Sequence, residues 1–202
     1  MVTAQETMID GWELEGLILK VQAGETEVYA RIVEVFQQPI YRYCCRLLGN
    51  RQDAEDAVQD ILVKAYQSLR RYKPDVSFSA WLYRIACNHC LNLLRRRRLQ
   101  GRVLRVLRPE TAAAGPEQEL EARLYSPQLA AALCRLSLEE RNLLVLRVFE
   151  ELTFLEISQI LHVSPNALHK RMERIKGKVR EAMHNEEGIV WEERESALST
   201  KI

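Results

Sequence analysis

The chain lacks the apolar–polar alternation of β-strands, and its few glycines and prolines fall between periodic segments, which excludes a sheet-based fold. No apolar run approaches the ~20 residues needed to span a bilayer. No secretory leader is recognisable either, so a cytoplasmic location is expected. A glycine-rich phosphate loop, an HExxH pair and a nucleophile elbow are all missing, so neither a catalytic residue nor a cofactor is expected. The five cysteines are an odd number inside helical segments, which suits reduced thiols better than a disulfide framework. A net charge of +1 argues against a uniformly basic nucleic-acid binder.

That average conceals segregation. Arg95 to Arg108 contains no acid and Lys170 to Arg180 is mostly basic, whereas acids gather at Asp53–Asp60, Glu117–Glu121 and Glu186–Glu195. Hydrophobic residues make up 47% of the 202, enough to bury one large core or two small ones.

The expected fold is all-α. Asp10 is placed to cap a first helix that Gly24 ends, and a second helix covers about Thr26 to Leu48, kinked or broken at Pro39. A third begins near Asp53 and buries Ala54, Ala57, Val58, Ile61, Leu62 and Ala65. A fourth starts near Ser77 or Ser79 and runs to Arg95–Arg98. Periodicity weakens from Leu99 to Tyr125, a stretch read as a linker. A second helical block opens at Ser126-Pro127, with capping boxes at Ser137–Glu140 and Thr153–Glu156 and a further start at Ser164-Pro165.

The second block contains a helix-turn-helix pattern: a short helix from Thr153 to Leu161, a turn at His162-Val163, and a helix burying Leu168, Met172, Ile175 and Val179. In that motif the start of the second helix enters the major groove, which places Asn166, His169, Lys170 and Glu173 at base edges. Arg171, Arg174, Lys176 and Lys178 are placed to grip phosphates, and Ser164 and Pro165 open the reading helix. The competing reading is a solvated face of an ordinary bundle.

The first block sets an acidic helix, DAEDAVQD, before an aromatic and basic segment, RRYKPDVSFSAW. Exposed rings among arginines stack on unpaired bases, which makes Tyr72, Phe78 and Trp81 candidates beside Arg71 and Lys73. Phe78, Trp81 and Tyr83 can equally be core. Leu82, Ile85, Ala86 and Leu93 form the expected buried face of the fourth helix, leaving Arg84, Asn88, Asn92, Arg95 and Arg96 outside it. Cys87 and Cys90 lie within one turn, but no second pair completes a zinc site, so they are read as small buried hydrophobes, like Cys44 and Cys45.

Taken in order, these segments resemble bacterial sigma factors of the extracytoplasmic-function class. DAEDAVQD is similar to that family's polymerase-binding helix, WLYRIACNHCLNLLRRRR to its minus-ten helix, and LSLEERNLLVLRVFEELTFLEISQIL with the following helix to its minus-thirty-five domain. The resemblance implies a region 2-like domain over 1–98, a linker over 99–125, a region 4-like domain over 126–183, and an acidic tail over 184–202 to which it assigns nothing. It also implies that Asp53, Asp56, Gln59 and Asp60 face core RNA polymerase and that Arg70 to Phe78 captures a flipped promoter base. Promoter DNA, as duplex and as melted strand, and an anti-sigma protein are the other implied partners. His162 stands where the family usually has glycine, Asn92 where aspartate is common, and Ala167 with Lys170 where threonine and serine are typical. Two other functions fit the residues less completely: a conventional helix-turn-helix regulator binding DNA without polymerase, and a helical adaptor or metal sensor built on Cys87 and Cys90.

Overall fold

The computed structural model describes residues 10–107, 129, 132–133 and 135–199, with side chains over 10–99, 129, 132–133 and 135–183. Among them the chain is helical throughout, with no strand. Helix α1 (Gly11–Ala23) starts after Asp10, whose backbone is extended but whose carboxylate caps no N–H, unlike the expectation. Gly24, at φ 109°, ends it in the left-handed region. A 3-10 turn (Thr26–Val28) leads into α2 (Tyr29–Leu48), which passes through Pro39 without a break. Burial of Ile32, Ile40 and Tyr43 on either side offsets the hydrogen bond that proline cannot make.

Helix α3 (Arg51–Ser68) begins slightly earlier than expected, because the Asn50 side chain accepts from the Asp53 N–H at 3.1 Å. Its buried face is the expected one, and the small residues Ala54, Ala57 and Ala65 let α2 pack closely along it. After a 3-10 turn (Leu69–Arg71), Ser77 caps α4 (Phe78–Leu107) through the Ala80 N–H. That helix continues past Arg98, since Gly101 alone does not outweigh the helix formers around it.

In the second domain the Ser126-Pro127 start lies outside the described residues. Helix α5 (Leu138–Leu144) opens on the Ser137–Glu140 capping box and unwinds into a π-turn (Val145–Phe149). Helix α6 (Phe154–Leu161) opens on the Thr153–Glu156 box. His162 ends it at φ 54°, and α7 (Pro165–Ser199) follows, so the backbone of residues 184–199 continues the second helix of the helix-turn-helix. Ile157, Ile160, Leu168, Met172 and Ile175 are buried as the pattern requires, while Phe154, Leu161 and Val179 are half-buried.

Between the two domains the contact is direct, which a tethered pair does not anticipate. Tyr43 of α2 is fully buried and donates its hydroxyl to Asn142 Oδ1 at 2.7 Å. Asn142 Nδ2 reaches Cys87 Sγ of α4 at 3.1 Å. Glu150, 4% exposed, accepts from Arg46 at 2.6 Å and from the Tyr83 hydroxyl at 2.8 Å. Burying that carboxylate is tolerated because both oxygens are bonded and the Arg46 cation lies beside it.

Candidate nucleic-acid interface

Four carboxylate and amide groups define the acidic face of α3. Asp56, Gln59 and Asp60 are exposed, while Asp53 is half-buried and ion-paired to Arg97 of α4. His89 of α4 lies beside Asp60, 3.8 Å from its carboxylate, and its other ring nitrogen is 2.6 Å from Lys64 Nζ. Burial and then the Lys64 charge hold the His89 imidazole below its ordinary pKa. A Lys64 ammonium can only donate, so the ring nitrogen facing it is the acceptor.

The basic loop before α4 is tied to α1, because Gln22 Nε2 donates to the Leu69 and Tyr72 carbonyls at 2.9 and 3.1 Å. Arg71 and Lys73 are exposed. Tyr72 is half-buried, donates its hydroxyl to the Val76 carbonyl at 2.8 Å, and packs its ring against Phe78 and Trp81. Phe78 does not join the exposed set. It is 4% exposed and packs edge-on against Phe36, because its position at the first turn of α4 points it into the core. Trp81 is half-buried at the edge of this cluster, and Tyr83 is core.

Along α4, Asn88, Asn92, Arg95 and Arg96 are exposed. Arg84 is half-buried, and its Nε has no hydrogen-bond partner among the described residues. Positions 84, 88, 92 and 95 share one face by helical spacing. Leu82 and Ala86 are buried as expected, whereas Ile85 and Leu93 are only half-buried.

On α7, Asn166, His169, Lys170, Arg171, Glu173, Arg174, Lys176 and Lys178 are all exposed, as is Ser164, whose hydroxyl caps the helix through the Ala167 N–H. Pro165 is half-buried. Glu173 is engaged by Lys176 at 2.9 Å, which holds its carboxyl below the usual range. The His169 ring stacks on Phe154 with centroids 3.9 Å apart, and the Arg147 guanidinium lies 5.1 Å from the centre of the same Phe154 ring. Arg147 is itself anchored to the Leu152 carbonyl at 3.1 Å.

Two adjacent carboxylates at the start of α5 each hold one cation from a surface expected to face DNA. Glu139 pairs with Arg95 of α4 at 3.0 Å, and Glu140 pairs with Lys178 of α7 at 2.6 Å. These hydrogen bonds keep both carboxyls below their ordinary pKa.

The thiols of Cys44, Cys45, Cys87 and Cys90 behave as core. Cys44 Sγ lies 3.7 Å from Cys90 Sγ, and burial pushes the Cys87 thiol up to about 11. Sequence reasoning assigned no site role to Asn142, Glu150, Glu139, Arg147 or Phe154. The one available signal was an asparagine set directly before the apolar run Leu143 to Leu146.

Residues 32–100 match the Sigma-70 region 2 family and residues 126–179 match Sigma-70 region 4. The RNA polymerase sigma factor CnrH of Cupriavidus metallidurans is 32% identical over 136 residues, covering 63% of this chain and 71% of that protein. The chain belongs to the extracytoplasmic-function class of sigma factors. A second member, SigW of Bacillus subtilis, is 28% identical over 78% of this chain and 89% of its own length. The fold is also that of solved sigma factors: a structure of CnrH in complex with the cytosolic domain of CnrY aligns with TM-score 0.64 at 23% identity, covering 84% of this chain and 96% of that one. As a sigma factor, the chain is a transcription initiation factor that binds core RNA polymerase and directs it to specific promoters.

Proposed function

We propose that each surface described above has one role in initiation. The exposed carboxylates and amide of α3, Asp56, Gln59 and Asp60, seat the first domain on core polymerase, with Asp53 at the edge of that contact. The α4 stripe of Arg84, Asn88, Asn92, Arg95 and Arg96, with Arg71, Lys73, Tyr72 and Trp81 before it, opens the minus-ten element. Phe78 supports that cluster from inside instead of touching DNA. Flipping a base costs a few kcal/mol, which stacking on Tyr72 and Trp81 and the binding energy of polymerase together offset. Residues Ser164 to Lys178 read the minus-thirty-five element, with phosphate contacts from the outer cations.

The observation that carries this reading is the opposition of sign within the first domain. One helix exposes carboxylates and its neighbour exposes amides and guanidiniums, so a protein and a nucleic acid can be held at once. The domain limits follow as 1–98 and 126–183, and the work is done in the cytoplasm, where polymerase supplies the chemistry. An anti-sigma protein is the fitting regulator, in keeping with the CnrH–CnrY complex and with the RpoE–NepR complex of Bartonella quintana.

Run-off transcription with sigma-free core polymerase on genomic fragments tests this. Initiation at defined start sites only when the chain is added supports it. Tight operator binding by the chain alone, with no initiation, supports a conventional regulator instead.

A further inference from the structure

We propose that Phe154, which lies outside the reading helix, sets promoter specificity by fixing the orientation of His169. This rests on the reading above, in which His169 faces base edges. An exposed histidine ordinarily samples several rotamers, and each must be given up when it contacts a base. Here the imidazole lies flat enough on Phe154, 3.9 Å between centroids and 37° between planes, for the ring face to select one orientation before DNA arrives.

Phe154 is in turn held from three directions. It is the first residue of α6, locked by the Thr153–Glu156 capping box, in which the Glu156 N–H reaches Thr153 Oγ1 and the Thr153 N–H reaches Glu156. It packs against the buried core as a half-buried residue. The Arg147 guanidinium lies over its ring, and Arg147 is pinned to the Leu152 carbonyl. A column of Arg147, Phe154 and His169 therefore runs from the π-turn to the reading helix. Phe154 acts as a positioning residue and Arg147 as its anchor; neither needs to touch a base.

Holding the imidazole in one rotamer sharpens discrimination, because a ring free to turn can accept a poorer partner at the same position. Loss of the stack is expected to reduce base discrimination by about two- to tenfold, the range an aromatic pair supplies.

The test compares base-preference profiles in transcription with core polymerase from a library randomised across the upstream element. His169→Ala first identifies the base pairs that respond to the imidazole. Phe154→Leu, which keeps an apolar side chain at the core edge, should flatten preference at those same base pairs, and Phe154→Tyr should restore it. In the double variant the Phe154→Leu effect should vanish, since no imidazole remains to be positioned. Phe154→Met serves if the leucine variant loses its cooperative melting transition. A profile unchanged by loss of the Phe154 ring, while His169→Ala alters it, overturns the positioning role alone. A profile unchanged by His169→Ala overturns the base-reading role of His169 and this inference with it.

Discussion

Tyr43 and Asn142, 99 positions apart, share a buried hydrogen bond of 2.7 Å across the junction of the two domains. Asn142 is buried in the core, and its amide is used at both ends, accepting from Tyr43 and approaching the Cys87 sulfur. Replacing Asn142 by Leu leaves the buried Tyr43 hydroxyl only the weakly accepting Cys87 sulfur and should destabilise the protein by about 1–3 kcal/mol. Adding Tyr43→Phe should recover part of that loss, because the stranded hydroxyl is then gone. Urea unfolding of the two single variants and the double variant measures the coupling; strictly additive effects would count against the bond.

On the proposed reading, Glu139 and Glu140, which pair with Arg95 and Lys178, compete with DNA phosphates for those two cations. Both pairs are largely exposed, so each is weak. Changing both residues to Gln should raise the affinity of the free protein for promoter DNA by about two- to fivefold at low salt, less as salt rises. Fluorescence anisotropy titrations at two ionic strengths read this directly, and a drop in affinity would contradict it.

His162 adopts φ 54° and ψ 41°, a left-handed conformation that a side chain disfavours. Glycine fits there without that penalty but gives the unfolded chain more freedom. His162→Gly should therefore stabilise the protein by a net of about 0.5–1 kcal/mol, visible as a raised urea midpoint.

Alkaline pH should weaken the fold. The Cys87 thiol ordinarily ionises near 9.0, but burial holds it protonated up to about 11 in the folded chain. The unfolded chain thus sheds this proton first, so stability is intact below pH 9 and declines as pH rises from there towards 11. The slope for one such group reaches about 1.4 kcal/mol per pH unit. Burial and thiol hydrogen bonding push Tyr43 and Cys44 the same way. Urea midpoints measured on either side of the thiol range should fall with pH, and Cys87→Ala should lessen the slope.

Reversing Asp60 to Lys should weaken association with core polymerase by about tenfold or more, since it opposes like charge to like. The side chain is exposed, so melting should change little. Unchanged co-purification with core enzyme would remove Asp60 from that surface.

Much of the fold was legible because it rests on local signals. The capping boxes at Ser137 and Thr153, the buried alanines of α3 and the stripe of Leu168, Met172 and Ile175 each follow from spacing within one helix. Phe78 was not legible, because one ring at a helix start faces core or solvent according to what Phe36 places opposite it. The docking of the domains was hidden for a related reason. Asn142 and Glu150 find Tyr43, Tyr83 and Arg46 far away in the chain, and no spacing rule links them. Asp10 had the right residue type for a cap, yet its carboxylate makes no such bond. Of the proposed interface, exposure was the most legible on α7, since every charged position assigned to it is exposed.

The thiol of Cys87 sits behind Asn142 at the seam, only 3% exposed, with Cys44 and Cys90 sealed deeper. Alkylating reagents attack the thiolate of an accessible sulfur and spare one that is both shielded and protonated. The rate at which Cys87 is labelled in native buffer is accordingly a clock for how often the seam opens. It requires no introduced residue, and core polymerase or promoter DNA that holds the halves apart will make it run faster.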